Sequence, residues 1–100
     1  MSRAESLGSY IDSLHGELYE KVVERIPQYG DPQPHFARLA KMWSAVLNHD
    51  VTPRQVLLCL ISLKLLREAT TDMWDNIVDI AGYAVILAEG EDGNWASGDD

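Results

Sequence analysis

One hundred residues make a single domain, and an apolar share of 46% is ordinary for a folded globular chain. Sixteen acids against eight bases leave a net charge of −8. Such a surface repels phosphate backbones and anionic bilayers, so neither nucleic acid nor a membrane is an expected partner.

The first helical pattern runs from about Ser6 to Ile26. Leu7, Tyr10, Ile11, Leu14, Leu18, Val22 and Ile26 recur at helical spacing, with Asp12, Glu17, Glu20, Lys21 and Glu24 on the other side. Gly8 and Gly16 weaken this helix, each by about 1 kcal/mol relative to alanine, and offer room for another helix. The stretch Pro27-Gln-Tyr-Gly-Asp-Pro-Gln-Pro34 interrupts it with three prolines and a glycine.

A second helix is expected from Pro34 to Asn48, burying Phe36, Leu39, Ala40, Trp43, Val46 and Leu47 and leaving Arg38 and Lys41 off that face. Thr52-Pro53-Arg54-Gln55 is a strong start signal for a third: a threonine N-cap, proline at the first helical position, glutamine at the third. The run that follows is apolar nearly all round, which predicts a central helix. Its single cysteine, Cys59, reads as a small core residue. Lys64 and Arg67 project from one side near its end.

Thr70 or Thr71 is the expected cap of a fourth helix reaching Glu89. Wound as a helix, it lines up Asp72, Asp75, Asp79 and Tyr83 on one stripe, with Asn76 beside it. Asp72 and Asp75 suit the positive end of the helix dipole. Asp79 is two turns in, among apolar neighbours, and a carboxylate there needs a partner. Three readings stay open. An antiparallel helix pair would bring Arg67 near Asp75 and Lys64 near Asp79 as an ion-pair network. Alternatively the stripe holds a divalent cation or takes phosphate, or it faces water. Helix one carries Glu17-x-x-Glu20 and Glu24, read mainly as a solvated face. The spacing of His15, His35 and His49 does not favour zinc.

The expected fold is an all-α four-helix bundle over residues 1–90, followed by an acidic, glycine-rich, mobile tail over residues 91–100. Trp95 in that tail either docks onto the body or stays free. Small size and the long stripe of helix one predict a homo-oligomer, with helix one pairing with its symmetry mate. The apolar runs fall far short of the roughly 20 residues of a membrane span, and the N-terminus lacks a signal-peptide core, so a cytoplasmic location is expected.

Tyr29-Gly-Asp31, Phe36-Ala-Arg-Leu-Ala40, Trp43-Ser-Ala45, Leu63-Lys-Leu-Leu-Arg67 and Asp75-Asn-Ile-Val-Asp-Ile-Ala-Gly-Tyr-Ala84 resemble an uncharacterised all-helical domain common in bacteriophage genomes. The resemblance covers roughly residues 29–89, and it implies a phage-type protein in the host cytoplasm. More distantly, the chain is similar to the MazG-like and dCTP-pyrophosphatase-like all-α enzymes, whose Glu-x-x-Glu and Glu-x-x-Asp motifs hold Mg2+ against a triphosphate. Asn76-x-x-Asp79-x-x-x-Tyr83 aligns with the second motif, with Asn76 in the glutamate position. Lys41-Met-Trp-Ser44 occupies the register of the first.

Two functions follow. In one, a small phage-type helical protein binds a host or phage protein without catalysis. In the other, Asp75 and Asp79 hold Mg2+, Lys64 and Arg67 take phosphate oxygens, and Tyr29, Trp43 or Tyr83 stacks on a base, giving MazG-like nucleotide binding or triphosphate pyrophosphohydrolysis. Whether the protein is an enzyme stays open between them.

Overall fold

A computed structural model describes residues 2–96, all helical apart from short connections. Helix α1 spans Arg3–Tyr19 and continues as a wide π turn over Glu20–Glu24. A single helical turn, α2 (Ile26–Tyr29), leads into α3 (Pro32–Leu47), α4 (Pro53–Thr70) and α5 (Trp74–Glu89), after which a last wide turn covers Gly90–Asn94.

Local chemistry sets most of these boundaries. The Ser2 hydroxyl accepts from the Glu5 amide at 3.1 Å, and the Asp31 carboxylate accepts from the Gln33 amide at 3.0 Å. Asp31 therefore starts α3 at Pro32, two residues ahead of the expected Pro34. Asn48 closes α3 in the left-handed region, at φ 50°, which asparagine tolerates better than most residues. The Ser44 hydroxyl then accepts from the Val51 amide at 2.8 Å and donates to the Ala40 carbonyl at 2.8 Å, fixing the turn into α4. At the start of α4 the capping box forms in full. The Thr52 side chain accepts from the Gln55 amide, and the Gln55 side chain accepts from the Thr52 amide. Thr52→Ala is expected to lower stability by about 1 kcal/mol in chemical unfolding, with an unchanged denaturant slope.

Neither Thr70 nor Thr71 caps α5. Thr70 is the last residue of α4, and Met73 occupies the cap position without a side-chain bond. The Glu68 carboxylate takes over, accepting from the Met73 amide at 2.9 Å and from the Asn76 side-chain amide at 3.2 Å. Asp72 consequently lies in the connection and not on the α5 stripe.

The core is built where α4 and α5 pack together and α3 covers them. Val56 and Leu57 of α4 are wholly buried beside Phe36, Ala40 and Ile86, with Leu39, Trp43, Leu60, Tyr83 and Leu87 packed around them. Gln33, also buried, donates from its side-chain amide to the Ile86 carbonyl at 3.1 Å and so ties α3 to α5. Only the N-terminal half of α4 is central. Leu58, Leu63, Leu65 and Leu66 are exposed, and Cys59 is exposed too, contrary to its reading as a core residue. The side of α4 that carries Val56, Leu57, Leu60 and Lys64 faces inward, and Cys59 lies off it.

The outer helices differ most from expectation. Val46 and Leu47 at the end of α3 are exposed. No residue of α1 is buried. Leu14 and Leu18 are half-covered, and Leu18 and Val22 lie against Gly82 of α5, whose missing side chain lets α1 cross there. Leu7, Tyr10 and Ile11 are exposed. Nothing in the described protomer approaches Gly8 or Gly16.

The chain does not end its structure at Glu89. Gly90 is buried, and the Trp95 indole packs over it onto the core cluster. Gly93, at φ 89°, provides the reversal that brings the indole back. Of the expected mobile tail, residues 91–96 follow this path, and residues 97–100 lie outside the described part.

Candidate functional site

The carboxylates of α5 are met by lysines from two directions. The Asp79 carboxylate receives Lys64 of α4 at 2.7 Å on one oxygen and Lys21 at 3.1 Å on the other. Lys21 also bonds Asp75. It sits in the π turn below α1, one turn beyond Leu18, so the α1–α5 crossing that packs Leu18 and Val22 also carries its ammonium to the acidic stripe. The Lys64–Asp79 pair is the more sheltered, with side chains 16% and 21% exposed, whereas Asp75 is 62% exposed. A sheltered pair feels a lower dielectric and is worth more than a solvated one.

Charge states follow from these contacts. Partial burial pushes the Asp79 carboxyl upward, but hydrogen bonds from Lys64 and Lys21, with their charges, outweigh it and hold the group below the ordinary carboxylate value. Lys21 is raised, first by its bond to Asp75, against partial desolvation and with help from Asp79. The stripe is thus a three-helix ionic clamp: α5 supplies the acids, α4 and the π turn the bases.

Of the expected contacts, Lys64 with Asp79 is present. The partner of Asp75 is Lys21 and not Arg67. Tyr83 stands edge-on to Phe36, with ring centroids 6.1 Å apart. Asn76 is buried and held by Glu68. Glu17 does not join the carboxylates of α5. It accepts a hydrogen bond from the Trp74 indole at the start of α5. Among the described residues, no three His, Cys, Asp or Glu side chains are gathered as metal ligands.

Beside the clamp lies a cleft of 480 Å³ between the π turn, α2, α3 and α5. Its polar groups are Lys21, Arg25, Tyr29, His35, Asp79 and Tyr83, over a floor that includes Val78, Gly82 and Ile86. The π turn and the α2 turn present Lys21, Arg25 and Tyr29 along one wall. Wide turns of this kind recur where a helix is adapted to a site. The sequence reading placed Lys21 opposite the apolar stripe of helix one and gave Arg25 no role. The one signal available was that Lys21 and Val22 follow Leu18 by three and four residues, which puts a base next to the apolar stripe.

The described residues thus form an all-helical domain in which an acidic helix is clamped by lysines beside a small cleft. Residues 19–91 match the domain of unknown function DUF6378, and the chain belongs to that family. It is similar to the Gene 55 protein of Mycobacterium phage L5, with 36% identity over 66 residues, covering 64% of this chain and 42% of that protein. The chain thus spans less than half the length of that relative. No solved structure matches it. No helix among the described residues is long and apolar enough to cross a membrane.

Proposed function

We propose that the protein acts by binding a host or phage protein, without catalysis of its own, and that it does so as a homo-oligomer in which helices complete a bundle between copies. The observation that carries this reading is the outer side of α4. Leu58, Leu65 and Leu66, at i, i+7 and i+8, form one apolar row and are 37%, 54% and 66% exposed. Rows of this kind on a charged protein mark contact surfaces. A net charge of −8 favours basic partners and speeds their encounter. Similarity to a mycobacteriophage gene product supports a phage setting.

The test compares wild type with a Leu65→Glu/Leu66→Glu variant as baits against host lysate. The expected result is a defined partner held by wild type and lost by the variant, with equal helicity of the two by circular dichroism. Identical captures by both would sink the assignment to α4.

The competing reading has Asp75 and Asp79 hold Mg2+ while Lys64, Arg67 and Tyr83 take a nucleotide. It asks two carboxylates to exchange lysines for a cation. Thermal unfolding with Mg2+ and nucleoside triphosphates separates the two. The protein-binding reading expects no shift. A ligand at a hundred times its dissociation constant would add about 2.7 kcal/mol, a rise of at least roughly 10 °C for a domain this small.

A further inference from the structure

The N-terminal half of α1 is exposed along its apolar stripe. None of its 17 residues is buried, and Leu7, Tyr10 and Ile11 are 48%, 65% and 65% exposed. An isolated helix of this length is marginal in water, and two glycines weaken it further. Its regular backbone therefore needs a packing partner. The surface area points the same way. The protein exposes 6960 Å², whereas a compact monomer of this mass exposes about 5,700 Å². The difference exceeds the roughly 800 Å² that each partner buries in a standard protein interface. The radius of gyration, 15.5 Å, is likewise larger than the about 13 Å of a compact chain of this length.

We infer that the missing cover is a second copy of α1, running antiparallel, with the twofold axis passing between Tyr10 and Ile11. This rests on the homo-oligomer reading above and specifies its surface and direction. In that register Leu7 of each copy meets Leu14 of the other, and Tyr10 meets Ile11. The stripe at 7, 10, 11 and 14 is self-complementary, as a twofold interface requires. Charge selects the direction. Antiparallel packing brings Arg3 of each copy to the level of Glu17 and Leu18 of the other. A parallel pair in register would leave Arg3 of each copy about 21 Å along the axis from Glu17 of the other.

The experiment uses the full chain. Sedimentation equilibrium of wild type should give twice the 11.2 kDa protomer mass. Ile11→Glu should weaken the dimer by about a hundredfold or more while α3–α5 keep their helicity, since two carboxylates would face the seam. Direction is read by disulfide trapping in a Cys59→Ser background. A mixture of Leu7→Cys and Leu14→Cys proteins should link to each other, and neither should link to itself. A monomeric wild type overturns both this inference and the homo-oligomer reading. A dimer that survives Ile11→Glu overturns the α1 surface alone and leaves self-association standing. Self-linked Leu7→Cys or Leu14→Cys protein overturns the antiparallel register.

Discussion

Replacing Asp79 with alanine is expected to destabilise the protein by about 2 kcal/mol, between the cost of breaking a buried ion pair and that of an exposed one. The loss would appear as a fall in Tm of roughly 10 °C. The change strands the Lys64 ammonium, at 16% side-chain exposure, and leaves Lys21, at 29%, with Asp75 alone. Asp75→Ala, at an exposed position, should cost well under half as much. The contrast between these two variants is the measurement, because a purely solvated stripe would make them equal.

The same contacts predict a pH profile. Asp79 has a folded pKa below its ordinary value of 3.8. Its contribution is therefore present in full above that value and is lost as pH falls through the folded pKa. Lys21 is raised above 10.5, so its contribution holds below that value and is lost as pH rises through the higher folded pKa. Asp79→Asn should flatten the stability of the protein below about pH 4 relative to wild type. An unchanged acid limb in Asp79→Asn would show that the ion pairs contribute nothing to folding.

The second large effect is expected at Gly90. Its backbone is ordinary right-handed helix, at φ −63° and ψ −42°, so the residue is a glycine for space and not for conformation. A methyl group there would fall on the Trp95 ring. Gly90→Ala should lift the indole off the core, with a loss of about 2 kcal/mol and a red shift in tryptophan emission. In a Trp95→Ala background the Gly90→Ala change should cost nothing further, since the clash and its object are gone together. Full additivity of the two variants would place the effect of Gly90 elsewhere.

The Thr52 cap and the three C-terminal helices were legible because their signals are local. Thr52 and Gln55 lie three residues apart and satisfy each other without any tertiary structure. The start of α5 was misplaced because its donors are satisfied from the preceding helix, by Glu68. Periodicity overstated burial in α1, where the apolar spacing is regular but Leu7, Tyr10 and Ile11 stay exposed. It misjudged α4 for a related reason, since an all-round apolar run shows that a helix is greasy but not which side is covered. In the candidate site, Lys64 could be paired with Asp79 by folding two adjacent helices together. Lys21 is 54 residues from Asp75, and only the geometry of the α1–α5 crossing shows that it arrives there.

The π turn at Glu20–Glu24 acts as a shift of phase. Leu14 and Leu18 define a row that an unbroken helix would continue to Arg25, seven residues on. The wide turn takes up about one extra residue, so the row passes to Ile26, which lines the cleft together with Arg25. Deleting one residue from this turn would leave composition and charge almost untouched, yet would rotate everything upstream by about 100° relative to α5. The arm that carries Leu7, Tyr10 and Ile11 would then point in a new direction.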